Sequence, residues 1–262
     1  MAYDNVLKMG PVASHAAQPY VFPGKDNPTI FGLDDSVEVL PTDDENYSIP
    51  FTHIRHKESR AIVFYSHGNA EDLYGIQNYL KDLSKKLKID VISWDYAGYG
   101  LHRVNDTVKP SEANVYVDSL KMFAYVQIQA EKYNIPIIVY GRSLGSAPAI
   151  YVASKHQNDI TGLIVESGFR SISRVVSDTL HNLFDLFDNE ALIQKQQNVP
   201  TLFIHGKKDT VVPFTHGEHL YDLCACKKKY CFWLNDGGHN NIESTYRSEI
   251  FIRLNHFIEQ LI

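Results

Sequence analysis

With 262 residues, 44% of them hydrophobic and 21% charged, the chain can bury a continuous core, which excludes a disordered protein. Its formal charge of −6 leaves no basic excess to neutralise phosphates, so nucleic acid is not an expected partner. No apolar run approaches the ~20 residues that span a bilayer, and the stretch MAYDNVLKMGPVASHAAQPY has neither a signal core nor, with Ala2, a myristoylation pattern, so secretion and that lipid anchor are not expected.

Residues 1–50 are rich in Pro, Gly and acidic side chains and read as an arm with short edge strands, part of the same domain as residues 51–262. From Ala61 a regular alternation begins. AIVFYS reads as a buried strand, and Leu73, Ile76, Leu80, Leu83 and Leu87 recur at steps of three and four, one face of a helix. DVISWD is the next strand. Ala113, Val117, Leu120, Ala124 and Ile128 mark the next helix, with Ser111 as its N-cap. IPIIVY is a strand, LGSAPAIYVASKH a helix, and TGLIVE, PTLFIH and YCFWLN three further strands. The last helix carries Ile250, Leu254, Phe257, Ile258 and Leu261. Strands alternating with helices predict an α/β protein with a mostly parallel sheet covered on both faces. Ligand sites in such sheets form in the loops that leave the carboxyl ends of the strands.

After IPIIVY stands Gly141-Arg142-Ser143-Leu144-Gly145. A serine on a sharp strand-to-helix turn is strained and exposed, and residues two positions away on each side must lack bulk. Gly141 and Gly145 meet that need, so Ser143 is the candidate nucleophile. A hydroxyl needs a base. His239 follows the last strand in NDGGHNN, where two glycines let a loop residue reach across to a neighbouring strand end. The base needs an orienting acid. Asp209, after PTLFIH, completes the order Ser, Asp, His, with Glu166 as the competing acid. Asp95 comes too early in that order and is read as structural. The strand AIVFYS runs into Ser66-His67-Gly68-Asn69-Ala70, whose glycine turn is suited to aim a backbone N–H at the serine. Asn69 and Leu144 are the expected oxyanion donors, with Ala70 as the one-residue alternative, and His67 is read as holding the turn. No metal or organic cofactor is expected.

The strings SHGNAEDL, WDYAGYG, PSE, YGRSLGSAP, IHGKKDTVVPFTHGEHLY and GGHNNIE resemble those of α/β-hydrolase-fold serine hydrolases. They are most similar to the small-lid branch that contains the depalmitoylating α/β-hydrolase-domain proteins and their serine-aminopeptidase-like relatives. The resemblance implies the same roles for Ser143, His239 and Asp209. It also implies hydrolysis of S-acyl groups on proteins, at a membrane surface. That branch carries a lipidated N-terminal cysteine cluster, whereas this chain has no cysteine before Cys224. The three cysteines, Cys224, Cys226 and Cys231, fit reduced thiols in the cytoplasm, and Cys224, four residues after Leu220, reads as a small buried hydrophobe.

Only Ser167 to Val199 separate the Glu166 strand from the next, which fits one or two cap helices and no large lid. Ile172, Val175, Val176, Leu183, Phe184 and Phe187 make one such helix amphipathic, either packed on the sheet or forming a greasy wall for an acyl chain. The expected substrate is therefore an acylated small molecule or protein. The alternatives are an aminopeptidase or amidase of the same fold, which needs an anion for the substrate's free amine, and a catalytically silent scaffold.

Overall fold

The computed structural model describes residues 37–44, 47–103, 109–176 and 185–262. Leu183 and Phe184 lie outside these residues. The short apolar runs form the strands of one eight-stranded sheet: β1 (Val37–Pro41), β2 (Ser48–Ile54), β3 (Ile62–Ser66), β4 (Asp90–Trp94), β5 (Ile137–Arg142), β6 (Gly162–Glu166), β7 (Thr201–Gly206) and β8 (Lys229–Leu234). Their order is β1-β2-β4-β3-β5-β6-β7-β8. β1 and β2 are antiparallel edge strands, and β4, β3, β5, β6, β7 and β8 run parallel. Every residue of β3, β4, β5, β6 and β7 is buried, as unbroken apolar runs require when helices cover both faces.

The described helices are α1 (Leu73–Leu87), α2 (Glu112–Tyr133), α3 (Ser146–Lys155), α4 (Ile172–Val176), α5 (Asn189–Ile193), α6 (Phe214–Leu223), α7 (Ile242–Thr245) and α8 (Arg247–Glu259). Asp72 caps α1 by accepting the Gly75 amide at 2.7 Å, and Ser111 caps α2 through the Asn114 amide at 3.1 Å. α1 and α8 cover one face of the sheet, where Leu80, Leu83, Leu254 and Phe257 pack together. α2 and α3 cover the other, with Phe123, Val126 and Ile150 in its core. Among the described residues no helix is long and apolar enough to cross a membrane.

Two sequence expectations need correction. α2 forms where its spacing puts it, but the residues that marked it are not those it buries. Val117 and Ile128 are 51% and 61% exposed, while Val115, Met122, Phe123, Val126 and Ala130 face the core. Two polar residues, Asp118 and Ser119, disguise that stripe. Both are satisfied, Asp118 by the Tyr47 hydroxyl and Ser119 by the Tyr116 carbonyl at 2.7 Å, so the larger Phe and Met side chains decide which face is buried. Phe187, expected on the amphipathic cap helix, does not lie on a helix. It holds φ at 57° outside the described helices and is buried edge-on against Tyr116.

The strand order turns at β3, which has β4 on one side and β5 on the other. That reversal opens a crevice at the carboxyl ends of β3 and β5, where the Asn69 turn and the Ser143 turn meet.

Candidate active site

Ser143 opens a 3₁₀ turn between β5 and α3 and holds φ at 50°, a strained conformation for a residue with a side chain. The two glycines make the turn feasible. A Cβ on Gly141 would lie 2.2 Å from the Gly145 carbonyl oxygen, and one on Gly145 would lie 2.0 Å from that of Ser66. The elbow thus presses directly on the end of β3.

His239 arrives from the loop between β8 and α7, and Asp209 from the loop after β7. Gly237 brings the former against the latter: a Cβ on Gly206 would meet the Gly237 carbonyl oxygen at 2.3 Å. Gly238 has no such role, since its nearest neighbour would be 3.5 Å from a Cβ. The result is one hydrogen-bonded chain. Ser143 Oγ is 3.0 Å from His239 Nε2, and His239 Nδ1 is 2.7 Å from Asp209 Oδ2. All three side chains belong to residues less than 9% exposed.

Asp209 is fixed from several sides. Its Oδ1 accepts the amides of Val211 and Val212 at 2.9 and 2.8 Å, and its Oδ2 lies 3.4 Å from His205 Nε2. Burial alone would raise its pKa. The hydrogen bonds from His205, His239 and the Val212 amide outweigh that and hold the carboxyl well below the usual range. It is therefore an anion wherever the imidazole needs one.

Asn69 and Leu144 both line the cleft beside Ser143. Ala70 lines it too, but its amide donates to the Asn69 side-chain oxygen at 3.1 Å, with Ala70 at φ 58°. The same oxygen accepts the Tyr99 hydroxyl. His67 is buried and stacked on Tyr96 with ring centroids 4.1 Å apart, and its carbonyl accepts the Tyr96 hydroxyl at 2.5 Å, so it holds the turn. Asp95 binds the Leu73 and Leu101 amides at 2.9 and 3.1 Å, a structural role. Glu166 is fully buried and accepts the Tyr140 hydroxyl, so Asp209, and not Glu166, is bonded to the imidazole.

Sequence reasoning missed a charged cluster directly behind the serine. Arg142 is surrounded by Glu71, Glu166 and Glu243, at 2.8, 3.7 and 3.5 Å. Burial raises the Glu166 carboxyl, only partly offset by Arg142 and the Tyr140 hydroxyl. Burial and the Glu166 charge push Glu243 up to about 8. Burial would lower the Arg142 pKa, but the surrounding carboxylates raise it, so the guanidinium stays charged. These residues come from four separate segments, and no local pattern links them.

The cleft over Ser143 has a volume of about 460 Å³, within the usual range for small-molecule sites. Leu144, Phe169, Ile172, Val175, Val211 and Val212 supply an apolar side, and Asn69, Glu71, Arg142 and Asn240 a polar one. α4 thus contributes Ile172 and Val175 to the wall of the cleft. Among the described residues no group of three or more His, Cys, Asp or Glu side chains is arranged to hold a metal.

Residues 57–189 match the family described as serine aminopeptidase, S33. The chain is 35% identical over 192 residues to alpha/beta hydrolase domain-containing protein aho-3 of Caenorhabditis elegans, a match covering 71% of this chain and 54% of that one. It is 34% identical over 190 residues to human alpha/beta hydrolase domain-containing protein 17C, again covering 71% and 54%. The matched region therefore spans about half the length of these relatives. Among solved structures, a soluble variant of monoglyceride lipase from Saccharomyces cerevisiae superimposes with a TM-score of 0.72 at 14% identity, over 91% of this chain and 98% of that one. The Pyrococcus furiosus esterase Pf2001 does so with a TM-score of 0.67 at 16% identity, over 91% and 96%. At such identities the likeness speaks for the fold.

Proposed function

The chain belongs to the α/β-hydrolase family described as serine aminopeptidase, S33, and we propose that it is a serine hydrolase of acyl esters or thioesters acting through Ser143, His239 and Asp209. The observation that carries this reading is the unbroken chain from Ser143 Oγ through His239 to Asp209, at 3.0 and 2.7 Å, at the floor of a half-apolar cleft. His239 Nε2 accepts the serine proton as Oγ attacks the acyl carbonyl. Asp209, an anion, keeps the other imidazole proton on Nδ1 and stabilises the imidazolium. The N–H groups of Asn69 and Leu144 receive the developing oxyanion. His239 then gives its proton to the leaving alcohol or thiol. In the second half it activates water, which releases the acid from Ser143.

The apolar wall of Phe169, Ile172, Val175 and Val211 suits a hydrocarbon acyl group. The small cap leaves room for a bulky leaving group, which supports acylated proteins, with S-acyl thioesters first among them, as a substrate class in the cytoplasm or at a membrane surface. An aminopeptidase would need an unpaired anion for the substrate's amine. Glu166 is buried away from the cleft, and Glu71 is already bonded to Arg142 and to the Gly68 amide, so no observation favours that reading.

The test is labelling by a fluorophosphonate, with hydrolysis of p-nitrophenyl esters of rising chain length, an acyl thioester and an aminoacyl amide compared side by side. Labelling of Ser143, and loss of turnover on the order of 10⁶ in Ser143→Ala, are expected. An unlabelled serine marks a silent scaffold, and preference for the aminoacyl amide marks a peptidase.

A further inference from the structure

Arg142 stands one residue before the serine, at the end of β5, and is 6% exposed. A buried guanidinium is costly unless carboxylates surround it. Three do, from three different elements: Glu71 after β3, Glu166 on β6 in register with Arg142, and Glu243 on α7.

The hydrogen bonds are not shared evenly among them. Arg142 Nε and Glu166 Oε1 face each other at 3.7 Å and neither has a hydrogen-bond partner, so that pair attracts through charge alone. The directional bonds go to two loops. Nη2 donates to the main-chain oxygen of His239 at 3.1 Å. Nη1 donates to Glu71 at 2.8 Å, and the other oxygen of Glu71 accepts the Gly68 amide at 2.6 Å, one residue before Asn69. Gly68 itself makes room for this, because a Cβ there would lie 2.7 Å from Nη1. A guanidinium is a planar fork, so the groups on its prongs are held at a set separation.

We propose that Arg142 is a positioning residue for acyl transfer: its guanidinium spaces the His239 loop and the Asn69 turn about the Ser143 elbow. This rests on the reading of Ser143, His239 and Asp209 as the reacting chain. Arg142 acts through its neighbours and transfers no proton. A merely structural arginine would, when removed, lower the amount of folded enzyme but not the turnover of each folded molecule. A positioning arginine lowers turnover in the folded enzyme, since a displacement near 1 Å can cost about 10²-fold.

The experiment measures kcat and KM for p-nitrophenyl butyrate in full-length Arg142→Ala, with active sites counted by fluorophosphonate labelling run to completion. Expected are a kcat per labelled site about 10- to 100-fold lower, a KM little changed, and partial recovery of rate on adding methylguanidinium, which the adjoining cleft admits. Arg142→Ala leaves Glu71, Glu166 and Glu243 without their cation, so the double variant Arg142→Gln with Glu166→Gln, which removes a partner on each side, carries the same kcat test in a folded protein. Wild-type kcat per site in either variant, or an Arg142→Ala rate indifferent to methylguanidinium, overturns the proposal. Ser143→Ala separates the two levels. Turnover retained there overturns both the reacting chain and this inference, whereas turnover lost there but kept in the Arg142 variants overturns this inference alone.

Discussion

The hydroxyl of Tyr99 donates a hydrogen bond to the side-chain oxygen of Asn69, 30 residues earlier. The same oxygen takes the Ala70 amide, so the Asn69 side chain is held from both sides. Tyr99 is buried and packs against Tyr96 and His67, which lets it act as a fixed strut for the turn. Tyr99→Phe keeps the ring and removes the strut. We expect kcat to fall about tenfold with KM held, against the 10²–10³ typical of losing a direct oxyanion donor. Steady-state kinetics on a short-chain ester measure it, and an unchanged kcat means that the turn needs no strut.

Asp209→Asn keeps the shape but reverses the imidazole tautomer, because an amide NH₂ cannot accept from Nδ1–H. Loss of about 10⁴ in kcat is expected. The stability consequence has a definite sign. The carboxyl is held below its ordinary range, so its contribution is full above pH ~4 and disappears as pH falls through the folded value. Urea midpoints recorded from pH 5 downward should show wild type losing its advantage over Asp209→Asn with acid. A constant gap between the two would contradict the assignment.

Glu243 behaves the opposite way. Its carboxyl is pushed up to about 8 by burial and by Glu166, with Tyr65, Arg142 and Glu71 also facing it. The folded state therefore keeps a proton that the unfolded chain releases near pH ~4.3, and stability falls as pH rises from there through about 8. Glu243→Gln keeps a group that can bond Tyr65 and carries no charge. Its urea midpoint should be flatter than wild type across that window, and an identical slope would rule out Glu243 as the source.

Gly145→Ala should destabilise by about 3 kcal/mol, or roughly 6–12 °C in Tm, because its Cβ would meet backbone oxygens of Ser66 and His67 at 2.0 and 2.6 Å and neither can rotate away. Gly238→Ala is the control. The nearest atom there is 3.5 Å from the new Cβ, so a change under about 1 kcal/mol is expected. Calorimetry on both decides, and equal losses would mean that steric contact at the elbow is not what selects glycine.

Hydrolysis should also depend on the apolar wall. Val211 is 50% exposed at the rim of the cleft, so Val211→Asp is compatible with folding. It should lower kcat/KM for long-chain esters more than for acetate, since each buried methylene is worth about 0.8 kcal/mol. A uniform loss across chain lengths would move the acyl group to the other side of the cleft.

The six parallel strands, α1, and the candidates Ser143, Asp209 and His239 were legible before folding, because each rests on short-range pattern: an apolar run, a step of three and four, a glycine pair about a serine, the order of three residues at strand ends. The buried face of α2 was not, since Asp118 and Ser119 interrupt it and their partners lie elsewhere. Nor was the position of Phe187, whose left-handed backbone takes it out of the helical pattern. The meeting of Arg142 with Glu71, Glu166 and Glu243 depends on the β5–β6 register and on how two loops close over the sheet. No window of neighbouring residues encodes it. Local chemistry alone pointed to Ser143, His239 and Asp209, and only the packing of distant segments decided which side chains surround them, because a buried charge selects its partners through space.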